Sequence, residues 1–135
     1  MPENFLEDFM IVSRINPSGH VQYCTGEEGG VLRNLARFKP TDAFCLIGVT
    51  NEDLFPNQNR DFCFGQTLQD KSVGAFSFHR YDPKFELYDG QEEISDTELM
   101  MRFCHVMVHE ITHLFGLRHC IYYECLMNGT MTAKE

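Results

Sequence analysis

The run His109-Glu110-Ile111-Thr112-His113-Leu114-Phe115-Gly116-Leu117-Arg118-His119-Cys120 holds the residues of this chain best suited to chemistry. On a helix, His109 and His113 are four apart and share one face, and Glu110 sits about 100° around from His109. Two imidazoles on one face bind a divalent metal, and the carboxylate beside them is a base. Gly116 can take the left-handed conformation that ends a helix, so the chain turns and His119 can return to the same point. Three neutral imidazoles with one position left open form the ligand set of a catalytic zinc, not of a closed structural one. Zinc brings the pKa of its water down to about 7, and Glu110 could take that water's proton and later give it to a leaving amine. The chemistry implied is hydrolysis of a peptide bond.

The five residues of H-E-x-x-H recur by accident on many helices. The longer H-E-x-x-H-x-x-G-x-x-H is far harder to produce by chance, and here Cys120, Cys125 and Met127 follow it. With those residues, His109 through Met127 resembles the archaemetzincin family, whose pattern is H-E-x-x-H-x-x-G-x-x-H-C-x-x-x-x-C-x-M. Ordinary metzincins share the three histidines and the later methionine but lack the added cysteines. Upstream, Asp42-Ala43-Phe44-Cys45-Leu46-Ile47-Gly48-Val49-Thr50, Asp53-Leu54-Phe55-Pro56, Phe64-Gly65-Gln66 and Gly74-Ala75-Phe76-Ser77-Phe78 are similar to the eukaryotic members.

The resemblance implies a metzincin-like mixed α/β sheet with an active-site helix, in one partial catalytic domain over residues 1–135. It implies that Met127 forms a methionine turn beneath the site. It also implies a second, structural zinc held by four thiolates, of which Cys120 and Cys125 would be half. The family usually has a first strand and helix before the segment that Met1 opens, and its further C-x-x-C pair has no counterpart before Glu135, so the chain is expected to be shortened at both ends. Two ligands cannot close a tetrahedron, so this second site should be absent, weak or completed by another molecule, and the region after His119 loosely held. Tyr122 and Tyr123 could stabilise an oxyanion, although packing or surface roles fit them better. His79 and His105 are not expected to be ligands. In metzincins an extended peptide pairs with a sheet edge above the metal, and Val73 to Arg80 is the strand expected there.

The elements that must carry these residues are legible in outline. Phe9 to Ile15 reads as a strand, Asn16-Pro17-Ser18-Gly19 as a turn, and Val21 to Cys24 as a returning strand. Glu27 to Phe38 places Val31, Leu32, Leu35 and Phe38 on one helical stripe that Lys39-Pro40-Thr41-Asp42 ends. Ala43 to Thr50 is a continuous apolar run, consistent with a central strand buried on both faces. Phe62 to Thr67 and Val73 to Arg80 read as further strands, the second with Phe76 and Phe78 on one face and Ala75, Ser77 and His79 on the other. Asp82 to Ile94 is acidic and irregular, and Ser95-Asp96-Thr97-Glu98 is a capping box that should open the active-site helix. Leu99, Phe103, Val106 and Met107 give that helix its core-facing stripe.

At 135 residues with 43% hydrophobic and 23% charged, the chain has the length and composition of one folded domain. A net charge of −9 with only eleven Lys and Arg argues against nucleic acid as a partner. No apolar run reaches membrane-spanning length. Met1-Pro2-Glu3-Asn4 is not the positive start of a secretory signal, so the expected location is intracellular, most simply cytoplasmic. In that setting the six cysteines are expected to be thiols or metal ligands, and a disulfide-rich secreted domain is disfavoured. Cys24, Cys45, Cys63 and Cys104 read as buried thiols. Two functions remain: a zinc peptidase acting on peptides or proteins, and a zinc-binding product of the same family that turns over little or nothing. Nothing in these residues specifies an oligomeric state.

Overall fold

The computed structural model describes residues 4–26, 28–81 and 95–129. A helical turn α1 (Phe5–Asp8) leads to β1 (Ser13–Ile15), β2 (Val21–Cys24), helix α2 (Val31–Phe38), β3 (Leu46–Thr50), β4 (Asp53–Phe55), β5 (Gly65–Leu68), β6 (Val73–Ser77) and the long helix α3 (Asp96–Leu114). Short 3-10 turns at Gln69–Lys71 and His79–Tyr81 flank β6. The fold is mixed α/β, as the sequence implies, but its strands divide between two three-stranded sheets. In one, β2 pairs antiparallel with β1 and parallel with β4. In the other, β6 pairs parallel with β3 and antiparallel with β5. The acidic stretch 82–94 lies outside the described residues.

Strand β6 is the centre of its sheet, and each of its five residues is buried. Its two faces feed two cores. Val73 and Ala75 join Ile11, Val31, Leu32 and Leu35 beneath α2. Phe76 joins Tyr81 and Phe103, with Ile47, Phe64, Phe78, Val106 and Met107 around them, beneath α3. The period-two alternation along Val73–Ser77 thus builds a helix–sheet–helix sandwich. Phe78 leaves the strand but keeps the orientation expected of it, stacking on Phe103 with ring centroids 3.6 Å apart.

Several element readings need correction. Ala43 to Thr50 is not a central strand: β3 pairs only with β6 among the described residues, and Val49 is half exposed. A continuous apolar run suits burial by packing on the faces, and it does not say whether both ladder edges are paired. Strand β1 starts late because Phe5 and Phe9 fold back on Phe38 in an aromatic cluster, with centroids 5.0–5.8 Å apart. Helix α2 starts at Val31, since Gly29 takes a left-handed φ of 83° and Gly30 is extended. It stops where Lys39 must be extended before Pro40. Strand β5 runs from Gly65 to Leu68, because Phe62 and Phe64 turn inward onto Arg80 and Tyr81. The expected strand Val73–Arg80 ends at Ser77, where the chain enters the second 3-10 turn.

A buried polar network joins the two sheets. Asp53 of β4, only 1% exposed, accepts both Arg80 Nε (2.6 Å) and Arg80 Nη2 (2.8 Å), and Gln22 Nε2 of β2 at 2.8 Å. Arg14 of β1 donates to Gln22 Oε1 at 2.9 Å and to the carbonyls of Arg60 and Asp61 at 2.7 and 2.9 Å. The two guanidiniums lie over rings, Arg14 over Phe55 and Arg80 over Phe62, with Cζ 4.0 and 3.9 Å from the centroids. A bidentate pair inside the protein is costly to break, because the surviving charge has no solvent. Asp53→Ala is therefore expected to destabilise the fold by about 3–5 kcal/mol, read as a lowered urea midpoint.

Candidate active site

Helix α3 begins at Ser95, whose hydroxyl accepts the Glu98 N–H at 3.2 Å. Only this half of the expected capping box forms: the Glu98 carboxylate takes Arg102 instead, at 2.7 Å. Phe103, Leu99, Val106, Met107 and Ile111 press one face of the helix into the second core, which fixes its roll. The helix then presents His109, Glu110 and His113 beside β5 and its flanking segments. The last turn closes with Phe115 N–H on Thr112 O (3.1 Å) and Gly116 N–H on His113 O (2.9 Å). Gly116 has φ 86°, so the left-handed turn expected of it is present.

That turn brings three imidazoles together. His109 Nε2 lies 3.1 Å from His113 Nε2 and 3.2 Å from His119 Nε2. Among the described residues these three form the one cluster with metal-ligand geometry. Tetrahedral ligands at 2.0–2.1 Å from zinc stand about 3.3 Å apart, so the donors are spaced to share one ion. The other ring nitrogens are engaged: His109 Nδ1–H donates to Leu126 O and His113 Nδ1–H to Leu117 O, each at 2.7 Å. Those bonds fix the tautomers that leave the Nε2 lone pairs facing one another, as metal ligation requires. His109 is buried and His119 exposed, so the centre opens outward from the helix.

Glu110 lines a cleft of about 390 Å³ together with His109, His119, Val106 and the segment from Arg60 to Gly65. Burial pushes its carboxyl above the ordinary value, and the three histidines pull it partly back. A carboxylate with a raised pKa is a better proton acceptor near neutrality. A second, open cleft of about 660 Å³ lies on the other side of the histidines, beside Thr67, Gln69 and Asp70. Gln69 anchors this side by donating to His113 O at 2.9 Å.

The two clefts thus meet at the imidazoles, with β5 and its flanks along both. This overturns the edge role expected of Val73–Arg80: β6 has both ladder edges occupied, whereas among the described residues β5 pairs with β6 alone. Phe76 and Gly65 show how close that pairing is, since a Cβ on Gly65 would sit 2.2 Å from the Phe76 ring.

Cys120 and Cys125 lie in one loop, with the backbone N–H groups of Tyr122 and Tyr123 aimed at the Cys120 sulfur and holding its thiol below the usual value. The Cys125 side chain lowers it further. Met127 is buried at the end of this loop. The loop is better fastened than expected: Cys120 N–H donates to Met127 O at 2.7 Å, and Asn128 makes side-chain bonds to three of its residues. Tyr122 and Tyr123 are 83% and 78% exposed, which supports the surface reading. His79 bonds Asn51 O instead of joining the cluster, and His105 is exposed on the helix. All six cysteines are free thiols.

Cys63, expected only to be a buried thiol, is half-buried and lines the Glu110 cleft, a position that no sequence signal marks. Burial, opposed by the Thr25 hydroxyl, pushes its thiol up to about 12. An ordinary thiol near 8.5 has roughly 10³ times more thiolate at neutral pH, so Cys63 should alkylate slower than a free peptide cysteine by about that factor. Timed iodoacetamide labelling read by peptide mass spectrometry checks this.

The match to peptidase family M54 extends over residues 34–135. Archaemetzincin-2 of Rattus norvegicus is 38% identical over 128 residues, which cover 79% of this chain and 36% of that protein. Archaemetzincin-1 of Homo sapiens is 30% identical over 129 residues, covering 78% of this chain and 26% of that protein. The chain therefore spans little more than a third of the length of these relatives at most. Among solved structures, a zinc-dependent peptidase from Methanocorpusculum labreanum superposes with TM-score 0.62 at 29% identity, over 78% of this chain and 63% of that one. Archaemetzincin from Archaeoglobus fulgidus, at TM-score 0.56 and 24% identity over 84% of this chain and 59% of that one, shares the fold. The matched region takes in β3 to β6, the site helix, both loop cysteines and Met127, and on that match the chain belongs to peptidase family M54, the archaemetzincins.

Proposed function

We propose that residues 1–135 act as one catalytic unit of a zinc-dependent peptidase. The observation that carries this reading is the convergence of three Nε2 atoms beside a partly buried Glu110, at the meeting point of two clefts that flank β5. His109, His113 and His119 would hold the zinc. When bound, zinc supplies a Lewis acid that polarises a carbonyl and acidifies water. An extended peptide or protein segment lies along β5, taking main-chain hydrogen bonds from the edge that is unpaired among the described residues. Glu110 takes the proton of the attacking water on its carboxylate and returns it to the departing amine nitrogen. Gly116 supports the site by turning His119 back, and Met127 by filling the floor.

Cys120 and Cys125 supply two thiolates of a second zinc position, which needs ligands from outside the loop to close. That requirement favours a second reading, a family product that holds zinc but turns over poorly.

Elemental analysis and peptide hydrolysis on the same protein separate the two. His113→Ala and His119→Ala should each lower zinc content, and zinc unchanged in both would remove the ligand assignment. Glu110→Gln should keep the metal and reduce turnover by about 10²–10⁴-fold, since an amide accepts no proton. Near-normal turnover in Glu110→Gln would exclude it as the base, and zinc without hydrolysis in the parent chain would establish the second reading.

A further inference from the structure

His109 is the hub of the centre: its Nε2 is within 3.2 Å of both other donors, and it is the most buried of the three. Its aim depends on one acceptor, the carbonyl of Leu126 at 2.7 Å from Nδ1. Leu126 belongs to no helix or strand, so something else must hold its peptide group in place.

The backbone bond from Cys120 N–H to Met127 O at 2.7 Å is one restraint, and Asn128 supplies the others. Its Oδ1 accepts the Cys125 N–H at 2.7 Å, and its Nδ2 donates to Cys120 O at 2.9 Å and to Tyr123 O at 2.8 Å. Its own N–H donates to Cys125 O at 3.0 Å. The amide orientation is fixed by this chemistry, because a flip would set donor against donor and acceptor against acceptor at all three side-chain contacts. Two of the partners precede Leu126 by one and three residues and the third stands at the loop's start, so one side chain closes the loop across its whole length. Leu126 sits inside that closure, between Cys125 and Asn128.

We infer that Asn128 is a positioning residue of the zinc centre: it fixes the Leu126 carbonyl, which selects the His109 tautomer and aims its Nε2 at the metal. The inference rests on the three-histidine zinc site proposed above. Hydrogen-bond partners of ligating histidines change metal affinity by about 10–100-fold when lost, which sets the scale expected here.

The test follows imidazole ¹⁵N shifts in the intact chain at a pH where the imidazoles are neutral, first without metal and then through a zinc titration in a chelator buffer. The shifts of His109, His113 and His119 report this centre, so zinc taken up by Cys120 and Cys125 is read separately. Asn128→Ala should convert His109 from one tautomer to a mixture in the zinc-free protein and weaken zinc at the histidines by about 10–100-fold. Asn128→Asp keeps the acceptor for Cys125 N–H but loses both donors, and it should give the same two changes. Should Asn128→Ala not fold, Asn128→Asp decides. A His109 tautomer unchanged in the folded variant, or zinc affinity within about twofold of the parent, overturns the inference. Should the parent's histidines take no zinc, the zinc reading fails, and the tautomer of the zinc-free variant still decides whether Asn128 positions His109.

Discussion

A single buried carboxylate joins the parts of this fold that share no extended ladder. Leu54 of β4 bridges to Cys63, and beside it Asp53 gathers Arg80 from beyond β6 and Gln22 from β2. A charge taken out of water must find partners, so its burial dictates where those side chains go. The consequences reach the site. Arg80, held by Asp53, is a platform for Phe62, while Gln22 and Arg14 take the carbonyls of Asp61 and Arg60. The segment so fixed is the wall of the Glu110 cleft. Its polar backbone faces the network and its aromatic residues face inward, so the cleft's shape follows from charge satisfaction on its far side.

The histidine centre is organised by the same logic at smaller scale. The Nε2 lone pairs of His109 and His113, brought within 3.1 Å, repel each other, and an ion placed between them reverses the sign of the interaction. The fold tolerates the repulsion because both Nδ1 positions of His109 and His113 are tied to backbone carbonyls created by irregular chain. Leu117 O is available because Gly116 ended the helix, and Leu126 O because the following loop closes on itself. Irregular backbone here supplies the acceptors that orient the two imidazoles.

The part of the site that could be read in the sequence is the part encoded by short-range spacing. His109 and His113 follow from a helical period, and His119 from a glycine that permits one unusual φ. The stripe of Leu99, Phe103, Val106 and Met107 was equally plain, because one face of a long helix has to be buried. What stayed hidden depends on pairings distant in sequence. Nothing in Ala43–Thr50 marks it as an edge, since both edge and centre tolerate apolar runs. Nothing in Cys63 or Asp53 reveals that they lie near Glu110 and Arg80, because no period connects them. Asn128 follows Met127 as an unremarked polar residue, and its three side-chain bonds become visible only once the loop is closed. The edge role expected of Val73–Arg80 falls to β5 for the same reason, since which of two paired strands is the outer one depends on what lies beyond them.

The register of β6 has a consequence for the order in which the molecule assembles. Its pairing with β5 closes through one short 3-10 turn, so that hairpin is local, whereas its parallel pairing with β3 must draw together segments separated by β4 and a long connection. Non-local parallel pairing is slow because loop entropy is lost before contacts form, while helices and hairpins arise early. The helix bearing two histidines and the β5–β6 hairpin can therefore meet before β3 is docked. Metal captured by that early pair would be held by a nascent half of the molecule, and the ion would then act as a template on which the remaining sheet is completed.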